Sequence, residues 1–102
     1  MTNFAVSLPV IILKEGTKFV AHTPVLDIST SADTFEKVQK RFEEVVQIFL
    51  EELQEKGTMD EVLSDLGWTK VKRQWTPPVL VKHDMEQIMI PIALNHASSY
   101  SR

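Results

Sequence analysis

Residues 25–42, VLDISTSADTFEKVQKRF, change periodicity halfway. Val25 to Thr30 mixes apolar and polar residues in the short-period manner of a half-buried strand. From Thr34 onward the apolar residues recur every three or four positions, the period of a helix with one buried face. Ser31-Ala32-Asp33 forms a short polar hinge between them. A strand that runs into a long amphipathic helix through so short a hinge sets the helix against the sheet holding that strand.

The helix has a single apolar stripe: Phe35, Val38, Phe42, Val45, Val46, Phe49 and Leu53. Glu36, Lys37, Lys40, Glu44 and Glu51 fall on the other side. Asp33 is the expected N-cap, with Glu36 three residues later completing a capping-box pair. Gly57 is the expected terminator. At 100° per residue Ile48 stands roughly 120° from the stripe centre, so it is expected to face solvent and is a candidate partner contact.

Working outward toward the N-terminus, residues 4–13, FAVSLPVIIL, read as a strand with Phe4, Val6, Leu8, Val10 and Ile12 on one parity. Pro9 has no backbone donor, which puts that strand at an edge or bends it. Lys14-Glu15-Gly16-Thr17 is a turn, Lys18 to His22 a second strand, and Pro24 precedes the third, Val25 to Thr30. Connections this short imply an antiparallel meander. Toward the C-terminus, Thr58 and Glu61 form a capping box for a short helix with Val62, Leu63 and Leu66 on its apolar side, and Gly67 stops it. GWTKVKRQWTPP, residues 67–78, reads as a strand or hairpin bent near Lys72-Arg73, with Trp68 and Trp75 in reach of each other. Val79 to His83 and Gln87 to Ile92 are two further β-like runs, with Ile88, Ile90 and Ile92 on one parity. The expected fold is therefore α+β: a small antiparallel sheet in β-β-β-α-α-β order with one long helix on one face. Residues 1–78 form the body, 79–94 a C-terminal β extension for a sheet edge or subunit contact, and 95–102 a flexible polar tail.

With 102 residues, 43% apolar and 25% charged, the chain is one globular domain. A domain this small gains from self-association. Its net charge of −3 does not suit direct nucleic-acid binding, which needs a concentrated basic patch. There is no cysteine, hence no disulfide or thiolate chemistry. The longest apolar run, Leu8 to Leu13, is far short of the roughly 20 residues of a membrane span. No basic segment precedes it as in a secretion signal, so the cytoplasm is the default location.

Nothing in the residue chemistry assembles a catalyst. Two-metal hydrolysis needs several carboxylates converging within about 4 Å of both ions, and Asp27 is the single acid on the predicted strands. His22, His83 and His96 have no partner at ligand spacing. The serines sit in no nucleophile-elbow sequence, and Gly16, Gly57 and Gly67 are too scattered for a phosphate loop. No metal or cofactor is implied. Trp68 and Trp75 lie near Lys70, Lys72 and Arg73, but three cations in an acidic chain make a poor nucleic-acid platform. Their aromatic area suits a core or a subunit contact better. These features indicate a binding or assembly protein, with Ile48, Trp68, Trp75, Ile88 and Ile90 as contact candidates.

The order of these elements resembles the HicB antitoxin family. The resemblance rests on Pro24-Val25-Leu26-Asp27, then Thr30-Ser31-Ala32-Asp33-Thr34, then FEKVQKRFEEVVQIFLEEL, with LPVIILKEGTKFVAHTP before them. It spans residues 4 to 57. It implies a partial ribonuclease-H-like fold in which Asp27 marks a relic acidic position. It also implies a homodimer or tetramer that neutralises a small basic RNA-cleaving toxin of the HicA type. Many members add a helical DNA-binding module, whereas the residues after Pro78 have no amphipathic helix pattern, which argues against direct DNA binding. The alternatives are a metal-dependent nuclease using Asp27 with Glu43 or Glu44, and a structural oligomer with no toxin.

Overall fold

The computed structural model describes residues 5–93. Three antiparallel strands form the main sheet: β1 (Ile11–Glu15), β2 (Lys18–Thr23) and β3 (Ile28–Ala32), with β2 in the centre. Gly16 adopts φ 61 in the two-residue link that brings Glu15 opposite Lys18. A left-handed turn residue of this kind matches the twist of the strands it joins.

The long helix α1 (Phe35–Lys56) lies on one face of this sheet. The face is set by parity: Ile12, Phe19, Ala21, Ile28 and Ala32 meet Val38, Phe42 and Val46. Phe35, at the start of the stripe, remains 45% exposed and meets Phe19 edge-on at 6.3 Å. The other sheet face carries Ile11, Leu13, Val20 and His22, and among the described residues no helix packs on it. The N-cap is Thr34, not Asp33: the backbone at Thr34 is extended and its Oγ1 accepts a hydrogen bond from the Lys37 amide at 3.1 Å. Asp33 instead pairs with Lys18 at 3.0 Å. The hydrogen bond and charge of that lysine hold its carboxyl below the ordinary aspartate range. Gly57 terminates α1 at φ 69, where its own amide and that of Thr58 return to the carbonyls of Gln54 and Leu53. This is a Schellman motif, which satisfies the carbonyls a helix end leaves open.

The chain then turns through α2 (Met59–Asp65) into a two-stranded hairpin, β4 (Thr69–Val71) and β5 (Gln74–Thr76). The capping box expected at Thr58 does not form, because that residue is not extended and its side chain caps nothing. The hairpin bends at Lys72 and Arg73, both with positive φ (52 and 70), and forms a sheet of its own.

Two boundaries differ from the sequence expectation for one physical reason. The third strand starts at Ile28, not Val25, and takes in Ser31 and Ala32 of the presumed hinge. The first strand covers 11–15, and residues 5–10 of the expected strand belong to none; Phe4 lies outside the described residues. Val25 (7% exposed) and Leu26 (3%) explain both, since they leave the sheet and plug a second core cluster with Leu53, Leu63, Trp68 and Trp75. The central strand ends at Thr23 to make that excursion, so residues 5–10 have no stretch of it left to pair with. Asp27 lies in this connection at φ 54, a left-handed position that aspartate tolerates, and not on a strand. Ile28 and Val46 touch both clusters and join them into one core.

Residues 77–93 contain no helix or strand, so the two β-like runs at 79–83 and 87–92 are not strands here. The expected polar tail, 95–102, lies outside the described residues.

Candidate functional site

The five contact candidates separate into two classes. Trp68 (6% exposed) and Trp75 (8%) are in the core. Trp68 donates its indole Nε1–H to the Val25 carbonyl at 2.8 Å, a buried bond across 43 positions of chain. That contact satisfies both the indole and the carbonyl of the plugged loop, which a dry core requires. Lys70 covers the outer face of Trp75, with its Nζ 5.6 Å from the ring and 3.4 Å from Asp60. The tryptophans thus hold the second half of the chain to the first.

Ile48, Ile88 and Ile90 are exposed. Ile48 is 55% exposed on the outer side of α1. Helical spacing puts Glu44 one turn before it, Glu51 and Glu52 one turn after and Glu55 two turns after. All four glutamates are exposed. The charge is strongly segregated along the fold. Residues 43–65, covering the second half of α1 and all of α2, carry eight acidic side chains and one lysine. Every one of those acids is exposed. Residues 66–82 carry four cations and no acid. A net charge of −3 therefore conceals an acidic ridge with an apolar residue at its middle. An anchor ringed by polar groups is the usual anatomy of a protein contact.

The residues of the metal-dependent alternative, Asp27 with Glu43 or Glu44, do not form a metal-holding group. Among the described residues no group of three or more histidine, aspartate or glutamate side chains is close enough to hold a metal ion. Asp27 stands alone in its turn, and Glu43 and Glu44 belong to the helix exterior. His22 Nδ1 and Ser29 Oγ face each other across β2 and β3 at 2.7 Å on the uncovered side of the sheet. Among the described residues no carboxylate bonds to that ring as the third member of a nucleophilic triad would. No helix among the described residues is long and apolar enough to cross a membrane.

Compared with protein-family models, curated proteins and solved structures, the chain finds no match in any of the three. What can be said of its work rests on its own residues.

Two open grooves of about 520 Å³ each flank the segment before β1. The first lies between residues 5–9 and 74–80. The second runs between Val6, Leu8, Val10 and Ile12 on one side and Phe42 and Val46 on the other, with Gln39, Glu43 and Gln47 at its rim. Sequence reasoning missed this second groove. The signal for it was the apolar parity that continues upstream of Ile12 past the end of the paired strand.

Proposed function

We propose that this chain is a HicB-like, antitoxin-type binding protein that neutralises a small basic RNA-cleaving toxin by protein–protein contact. The acidic ridge around Ile48 carries the proposal. An RNA-cleaving protein must present cations to phosphate. Glu44, Glu51, Glu52 and Glu55 offer the complementary charge on a rigid helix, and Ile48 offers an apolar anchor among them. Charges so arranged accelerate encounter and fix orientation, and the anchor slows dissociation. A toxin held this way has its RNA-contacting surface covered. The succession of three antiparallel strands and a long helix supports the HicB-like assignment, as does the position of Pro24-Val25-Leu26-Asp27 between the second and third strands. Chemistry by the chain itself has no comparable support, since no carboxylates converge among the described residues.

Co-expression with a small basic protein encoded beside it tests the reading. Growth arrest by that protein should be relieved by the wild-type chain. Ile48→Lys combined with Glu51→Lys should weaken the complex by about tenfold or more, since a central contact is worth roughly 1.4 kcal/mol or above. The affinity should also fall as salt is raised. Arrest that persists in the presence of folded wild-type chain overturns the proposal.

A further inference from the structure

Helix α1 packs over β2 and β3 and leaves the same face of β1, with the segment before it, only partly covered. The groove of about 520 Å³ beside α1 is the result. Its floor is Val6, Leu8, Val10 and Ile12, every second position of the chain, whereas Ser7, Pro9 and Ile11 do not line it. Residues 6–12 thus present apolar side chains at the period of a strand, about 6.6 Å apart, although residues 6–10 belong to no strand. Leu8 and Ile12 pack on the core and hold the floor in place. Val6 and Val10 remain 39% and 44% exposed.

Phe42 and Val46 form the wall, and Gln39, Glu43 and Gln47 stand in a row at its rim. Four helical residues advance about 6 Å along the axis, so rim and floor repeat at nearly the same interval. That interval is the two-residue repeat of an extended backbone. The rim groups are exposed and offer hydrogen bonds. Gln47 donates its amide to Glu51 at 3.1 Å and keeps its carbonyl as an acceptor. Among the described residues Gln39 and Glu43 have no side-chain partner.

We propose that this groove binds an extended peptide segment of another protein, with apolar residues at alternate positions and a lysine or arginine beside Glu43. The polar row decides the conformation of the occupant. A helix satisfies its own backbone groups, whereas an extended backbone brings an N–H and a C=O per residue that need partners. The apolar floor takes every second side chain of such a segment. Charge decides the remaining feature: among the described residues lining the groove, Glu43 is the one that carries charge, and a cation is its complement. The rim row spans about 12 Å and the floor about 20 Å, room for roughly four to six extended residues. At 100° per residue Glu43 stands about 140° around α1 from Ile48. The proposal therefore does not rest on the toxin-binding reading, and either can fail alone.

The test is fluorescence anisotropy of a labelled seven-residue peptide titrated with the full chain. The peptide has leucine at its second, fourth and sixth positions, lysine at its third and serine elsewhere. Binding should be saturable, and Glu43→Lys or Val10→Lys should weaken it by about tenfold or more. Both positions are exposed, so helical circular dichroism should not change. Glutamate in place of the peptide's lysine should reverse the order, so that the Glu43→Lys chain binds better than wild type. A peptide of the same composition with its leucines consecutive should bind about tenfold more weakly or worse. Absence of saturable binding overturns the proposal, as does equal affinity for the two leucine arrangements or an affinity that neither substitution moves. Binding that emerges only in the Ile88→Lys/Ile90→Lys chain would assign the groove to the chain's own tail and overturn it too.

Discussion

Strand β2 and the segment 87–92 are both six-residue, β-prone runs, and their fates are opposite. In KFVAHT Phe19 and Ala21 share one parity, and in QIMIPI Ile88, Ile90 and Ile92 do. The first has a neighbour on each side and a helix over one face, and Ala21 and Thr23 are fully buried. The second pairs with no strand among the described residues, and Ile88, Met89 and Ile90 are 76–92% exposed. Strand propensity is a fit to a pleated, half-covered surface rather than a backbone preference, and an isolated strand gains nothing from it. The body of this protein is the part of the chain for which the surface exists. The tail is the part for which the described residues supply none.

The sharpest way to break that comparison is to damage what holds the body together. Trp68→Ala removes a buried indole and leaves the Val25 carbonyl without its donor. It should cost about 3–5 kcal/mol in urea unfolding, whereas Ile90→Ala in the tail should change monomer stability by less than about 0.5 kcal/mol. Equal losses at the two sites would mean that the tail belongs to the body. Next in size, Thr34→Ala should cost about 1 kcal/mol by removing the side-chain cap of α1, with no comparable cap loss from Asp33→Ala. The hairpin allows a change of the opposite sign. Lys72 and Arg73 both adopt left-handed backbone, which costs side-chain-bearing residues roughly 1–2 kcal/mol each. Lys72→Asn with Arg73→Gly, the residues such turns favour, should raise the unfolding midpoint. Smallest is the Lys18–Asp33 pair, both partners being largely exposed. Because folding lowers the Asp33 pKa, its stabilisation is present above the ordinary aspartate value and is lost as pH falls through the folded one. Asp33→Asn should therefore be slightly less stable than wild type near neutrality and indistinguishable from it in strong acid. A difference that grows in acid would contradict the assigned partner.

The elements legible in the sequence were those set by local pattern. The stripe from Phe35 to Leu53 and the glycine after it mark α1, and Gly16 and Lys72-Arg73 mark the two hairpin bends. The outward position of Ile48 followed from helix geometry alone. What escaped was set by distant contacts or by competition between near-equal local choices. Val25 and Leu26 look like strand residues until Trp68, 43 positions away, gives them a core to enter. Asp33 and Thr34 are both good caps, and the one that lost is engaged by Lys18 from a neighbouring strand. The acidic ridge was hidden by an overall charge that sums opposite regions.

The separation between body and tail is tested most directly by amide hydrogen exchange on the Ile88→Lys/Ile90→Lys chain, whose substitutions lie outside the core. The account predicts strong protection through β2 and α1, protection of the Trp68 indole proton, and exchange at unprotected rates across residues 79–92. Protected amides within 79–92 of that variant, or rapid exchange of the Trp68 indole, would contradict it.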